Sequence, residues 1–269
     1  MIIQKKNHFY PNKAVKNELR TILNLKKEAR KNLLDKKNIN IKKETYISFC
    51  RNSPFSFNKN NNLDCFALEL ISLILELIKT NKYQLTPEKN LPKSFYDQCL
   101  KGVNQLKTLP KTRDKNLLLI YIKQAIHILK GSQLLRFENL KIKISSTIPS
   151  SPEKLYLEVF NSFWNKVDWS KIFPSDPQAA LELKKNKSII KDLLINLNEK
   201  VQLDSLANNF FDLTGFASKN HLFSISFLDF YLFTWLKHFG IITYHNNSEN
   251  SPVYISTSER GKFILPTLK

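Results

Sequence analysis

Lys123, Gln124, His127 and Lys130 recur at helical spacing in the stretch LLLIYIKQAIHILKG, which is otherwise apolar. Ammonium groups neutralise phosphates, and a carboxamide or imidazole hydrogen-bonds base edges, so the stripe has the chemistry of nucleic-acid contact. Lys111, Arg113 and Lys115 precede it, and Arg136, Lys141 and Lys143 follow it. The bland alternative is that a narrow lysine stripe is what a buried helix shows to water. A second set lies near the start of the chain. If residues 12–36 form a helix, Lys13, Lys16, Arg20, Lys27 and Lys31 fall within roughly 60° of arc, opposite Val15, Leu19, Ile22, Ala29 and Leu33. Such a helix docks by one side and offers phosphates the other, although a solvated lysine face is the commoner fate of such a pattern.

Catalytic and metal chemistry find little purchase in the chain. Its five glycines form no phosphate-cradling loop of the GxxxxGK[ST] or GxGxxG kind. His8, His127, His221, His238 and His245 stand apart, with no HExxH spacing, and His238 at a helix end is expected to be favoured by the carboxyl-terminal dipole. Cys50, Cys65 and Cys99 are an odd number without CxxC spacing, so neither a zinc site nor a disulfide framework is written here, and a reducing cytoplasm is the expected setting. Asp168, Asp176 and Asp204 would have to meet in space to hold a divalent cation. The expectation is a protein that is not an enzyme and takes no cofactor.

The charge distribution agrees with a polyanionic partner. The chain has 42 Lys+Arg against 23 Asp+Glu, a net +19 over 269 residues. Residues 1–62 carry 15 cations and 4 acids, residues 63–150 carry 14 and 7, and residues 151–269 carry 13 and 12. Abundant Lys, Asn and Ile are what A+T-rich coding produces, but such a bias loads every segment alike. Withholding acids from the first half and supplying them to the last implies two surfaces with different tasks. No apolar run is long and uninterrupted enough to span a membrane, and MIIQKKNHFY lacks the apolar core of a signal peptide.

The elements that must position these residues follow from periodicity. Residues 1–62 read as a basic helix and a polar linker, RNSPFSFNKNNN. Residues 63–150 read as three helices and a hairpin: LDCFALELISLILELIK, LPKSFYDQCLKG, the lysine-striped helix ending at Gly131, then QLLRF and LKIKIS about a tight EN turn, with YQLT as a short strand after the first helix. Residues 151–180, rich in Trp and Phe, read as a connecting helix. Residues 181–269 repeat the plan: LELKKNKSIIKDLLINL, QLDSLANNFFDLTG, SFLDFYLFTWLKHFG, then a terminal hairpin. Aligning Gly131 with Gly240 brings LKIKISST over PVYISTSE, an internal repeat.

Helix, helix, helix and a two-stranded wing is the plan of the winged helix-turn-helix. VYISTSERGKFIL resembles the ending common in bacterial regulators of that class, with Arg260 and Gly261 at the matching positions. QLTPEKNLP is similar to an LTxxGxLP pattern in winged modules, with Lys89 where that pattern has glycine. With the basic amphipathic helix read from residues 12–36 ahead of it, the expectation is a mainly α protein; the resemblance itself implies two tandem winged-helix modules. Plasmid replication initiators and transcription factors have this organisation, and double-stranded DNA is the implied partner. Winged modules also serve as docking parts, so an adaptor subunit of a larger complex is the alternative. The third helix of the second repeat is aromatic almost all round and its wing, YHNNSENSP, has no cation. That module is therefore expected to touch protein, and Phe227, Phe230, Tyr231 and Trp235 are candidates for a protein or dimer seam as well as for core.

Overall fold

The computed structural model describes residues 65–109, 114–146, 148–149, 151–197, 199–216, 221–245 and 253–268. The expected helix over 12–36, with Lys13, Lys16, Arg20, Lys27 and Lys31, lies outside the described residues, as do Lys111, Arg113 and the tip of the terminal hairpin. The described residues belong to one compact unit, Pro54–Lys269.

Helix α1 (Phe66–Thr80) is apolar on most of its circumference and buries Leu70, Ile71 and Ile74 completely. Its neighbour α2 (Lys93–Val103) lies close, because Gly102 admits Leu73 of α1 where a Cβ would stand 2.7 Å from its Cδ1. Between them YQLT contributes an isolated bridge, Gln84 to Lys141, and no longer strand. Helix α3 (Lys115–Gly131) starts at Asp114, whose carboxylate accepts from the Asn116 amide at 2.8 Å.

The antiparallel hairpin β1 (Leu135–Glu138) and β2 (Lys141–Ile144) follows. Its turn residues are Asn139 and Leu140, with φ of 48° and 59°, the left-handed pair that a two-residue type I′ hairpin requires. Leu140 therefore belongs to the turn and not to the inward row of Ile142 and Ile144, and it is 45% exposed. Lys89, where the similar pattern has glycine, also sits in the left-handed region, with φ of 60°. Its amide donates to Thr86 O at 2.8 Å and closes the turn.

The expected connecting helix is interrupted. Helix α4 (Pro152–Asn161), capped by Ser151, widens into a π-helical turn (Ser162–Lys166) and stops, and α5 (Trp169–Ile172) restarts after Asp168. The widened turn packs on α3 at Gly131, where a Cβ would collide with Val167 Cγ2, and Ser162 Oγ donates to Ile128 O at 3.0 Å. Likewise the single helix expected over LELKKNKSIIKDLLINL is two, α6 (Pro177–Lys185) and α7 (Lys187–Ile195), meeting at Asn186.

Strand β3 (Val201–Gln202) leads into α8 (Leu203–Thr214), stopped by left-handed Gly215. The third helix of this half is α9 (His221–Phe227), a π-helical turn (Leu228–Phe233) and α10 (Thr234–His238), stopped by Gly240 with φ of 68°. Strands β4 (Ile242–His245) and β5 (Tyr254–Thr257) and helix α11 (Glu259–Ile264) complete the chain, with a 3-10 turn at Leu265–Thr267. The second sheet runs β3-β5-β4, all antiparallel. The bridge of Gln84 to β2 and the pairing of β2 with β1 reproduce that order in the first half.

The two halves share one core. Tyr121 of α3 packs edge-on against Trp235 (6.4 Å between ring centroids) and His238 (4.7 Å) of α10. Phe66 of α1 also meets His238 at 4.7 Å. The aromatics of the α4 region fill the space between, with Phe163, Trp164 and Trp169 fully buried. The molecule is mainly helical, with two small antiparallel sheets.

Candidate nucleic-acid interface

The sequence-derived cations that are described divide between a helix stripe and a hairpin face. On α3, Asn116, Ile120, Lys123 and Lys130 are exposed and His127 is half-buried, successive steps of four and three residues along one face. Lys115 is exposed at the start of the same helix. Lys130 lies over the Phe137 ring at 4.4 Å, which joins the stripe to the hairpin. Burial and then the charge of Lys171 hold its ammonium below the usual lysine range. His127 is held below its usual value by burial and then by Lys130 and Lys171.

The hairpin separates its faces by the two-residue period. Leu135, Phe137, Ile142 and Ile144 face the core, β1 against α3 and β2 against α1, and Arg136, Glu138, Lys141 and Lys143 face outward. Arg136 stands opposite Lys143 in register, an unfavourable pair of like charges. Lys143 turns to Glu138 at 2.6 Å and Arg136 donates to Gln133 at 3.1 Å. The outward face thus carries three cations and one acid. The other ion pairs between described residues are Lys166–Glu158 (2.7 Å) and Lys262–Glu259 (2.8 Å). Lys115, Lys123 and Lys141 are paired with no described carboxylate.

Gln124 requires a correction. It is 3% exposed and offers nothing to a base edge. Its amide nitrogen donates to Ile172 O at 2.7 Å, and its carbonyl accepts from Trp235 Nε1 at 2.8 Å. Only the packing of both halves around it brings those partners together. The aromatic seam is corrected in the same way. Phe227, Tyr231 and Trp235 are buried, Phe227 and Tyr231 against Phe173 and Trp235 against Tyr121, and Phe230 alone of the four is exposed, at 39%. The third helices of the two halves therefore face each other across the core.

His238 is also inside, and its Nε2 has no partner among the described residues. Burial pushes its pKa down to about 3, so the ring is neutral and gains nothing from the helix dipole. The carbonyl of Phe239 at that helix end is satisfied by Tyr156 Oη (2.7 Å) and Arg260 Nη1 (3.2 Å).

Asp168 and Asp176 cap α5 and α6, accepting from the amides of Ser170 (3.0 Å) and Ala179 (2.9 Å). They do not converge with Asp204: among the described residues no three His, Cys, Asp or Glu side chains form a group that could hold a metal ion. Among the same residues no helix is long and apolar enough to cross a membrane.

Sequence reasoning missed a second group of cations, within the half whose charges nearly cancel. Lys184, Lys187 and Lys191 come together on α6 and α7, and Lys171 of α5, which shares Asp168 with Lys184, links them to Lys130. The i, i+3, i+7 spacing of Lys184, Lys187 and Lys191 was the available signal; a net-charge tally over residues 151–269 concealed it. Comparison with protein-family profiles, curated proteins and solved structures found no match for this chain.

Proposed function

We propose that this protein binds nucleic acid, double-stranded DNA in the first instance, through phosphate contacts made by the outward face of the β1–β2 hairpin and the exposed stripe of α3. The observation that carries this reading is the cross-strand set Arg136, Lys143 and Lys141 with a single acid among them, together with the exposed lysines of α3, Lys115, Lys123 and Lys130. Surface cations without paired carboxylates release condensed counterions when they meet a phosphate backbone. Base reading has little to work with, since Gln124 and the third helix of the second half are committed to the core and the exposed stripe of α3 is mainly lysine. Binding is therefore expected to be weakly sequence-dependent, a structural or loading role in replication or transcription. Tandem winged modules are part of the proposal. What supports them is the order helix, strand, helix, helix, strand, strand with the sheet order β3-β5-β4, and its echo in the first half. The activity is binding, with no catalytic step and no cofactor.

Titration with duplex DNA at two salt concentrations tests the reading. Affinity falls steeply as salt rises, and the triple variant Arg136→Gln, Lys141→Gln, Lys143→Gln lowers the log–log slope by about 2 to 3, near 0.9 per phosphate lost. Absence of binding at low salt sinks it. One observation favours a second reading, an adaptor subunit of a larger complex: two modules whose third helices pack against each other bury part of the surface that a groove-reading helix would use. In that case a protein partner binds and duplex DNA does not.

A further inference from the structure

Lys184, Lys187 and Lys191 form a ridge whose ammonium groups the fold has fixed, and Lys171 stands at its end, where Asp168 faces both Lys171 and Lys184. Lys184 Nζ donates to Val167 O and lies 5.6 Å from the centre of the Trp169 ring. Lys187 Nζ donates to Trp164 O at 3.0 Å and to Asn165 Oδ1, 5.6 Å from the Trp164 ring centre. Lys191 Nζ donates to Leu268 O at 2.9 Å. The carbonyls of Trp164 and Val167 are those left open by the π-helical turn and the helix end that follows it, so the lysines do serve as caps. Capping alone needs one donor per carbonyl, however, and each ammonium has three.

The ridge is under electrostatic tension. Burial, and after it the charge of Lys187, pushes Lys184 down to about 8. Lys187 is held down by burial and then by Lys191, and Lys130 by burial and then by Lys171. Asp168 is the carboxylate felt by Lys184 and His127, and its Oδ1 already accepts from Ser170 N and Oγ. An anion laid along the ridge would relieve that repulsion. It would also meet side chains whose rotamer freedom was lost in folding.

We propose that this ridge is a second phosphate track for the same nucleic acid, joined through Lys171 to Lys130 of the α3 stripe; the proposal rests on the nucleic-acid reading above. An acidic protein is a poorer fit, because the rings beneath the lysines, Trp164 and Trp169, are fully buried and leave Leu181 as the one exposed large apolar side chain on α5, α6 and α7. Protein interfaces gain their affinity from desolvated apolar anchors, whereas phosphate contacts need charge and position.

Lysine acetylation footprinting of the full chain, read by mass spectrometry with and without a 30-base-pair duplex at low salt, tests the track without substituting any capping lysine. Protection of Lys171 and Lys191 together with Lys141, each by about threefold or more, is the expected result. Protection of Lys141 with Lys171 and Lys191 labelled as in the free protein overturns the track and leaves the hairpin reading standing. No protection at any lysine removes both. Protection of the ridge by polyglutamate but not by duplex assigns it to an acidic protein and overturns the track. As an independent check, Lys171→Gln, at an exposed position with no capping role, lowers the salt slope by about 1; an unchanged slope counts against the track.

Discussion

Lys89 and Leu140 occupy the left-handed region that glycine enters without steric cost. Both side chains are exposed, so little burial is lost on truncation. Lys89→Gly and Leu140→Gly are each expected to raise stability by about 0.5 to 1 kcal/mol, measurable as a higher midpoint in urea. A lower midpoint for Leu140→Gly would mean that its side chain packs more than its exposure implies. His238 supplies a pH dependence. The unfolded ring takes up a proton below about 6.5, while the buried ring resists protonation down to about 3. The unfolded state therefore binds more protons between those values, and stability is full above pH 6.5 and lost as pH falls through this window. His238→Leu should flatten the acid limb of a stability–pH curve. An unchanged limb would place the acid sensitivity elsewhere.

At the scale of elements, the contact of α3 with the π-helical turn after α4 depends on a missing side chain. Gly131→Ala drives a methyl into Val167 and is expected to cost about 1 to 3 kcal/mol. Adding Val167→Ala should cost less than the sum of the two single changes, a coupling that a double-mutant cycle reads directly. The link between α3, α5 and α10 is polar. Gln124→Met leaves Trp235 Nε1 and Ile172 O without partners and should cost about 2 to 4 kcal/mol. In its folded fraction that variant should bind DNA like the parent, since Gln124 faces no ligand.

For the whole molecule, the shared aromatic core predicts one cooperative unfolding transition across the described residues, although the chain repeats a plan that could have made two independent domains. A chain ending at residue 215 loses Trp235 and His238, leaves Tyr121 and Gln124 uncovered, and is expected to lack a sharp thermal transition and near-ultraviolet dichroism. A native-like melt from that truncation would refute the shared core. Charge also operates at this scale: local electrostatics depends on which cations the packing gathers, so a half with nearly balanced charge still presents a lysine ridge.

Much of the secondary structure was legible because its signals are local. The apolar period of α1 and α3, the Ser151-Pro152-Glu153 start of α4, the stops at Gly215 and Gly240 and the alternation of β2 act within a few residues. The break at Ser162 was not, since it answers to Gly131 and to lysines that cap open carbonyls from across the fold, and the break at Asn186 carries no glycine or proline to announce it. Of the interface residues expected from the sequence, the hairpin cations and Lys115, Lys123 and Lys130 are exposed, because alternation and helical period suffice to turn a lysine outward. The direction of Gln124, Trp235 and His238 was decided by tertiary structure alone: an amphipathic helix marks its polar stripe, but burial of a polar group depends on a donor and an acceptor arriving from 48 and 111 residues away.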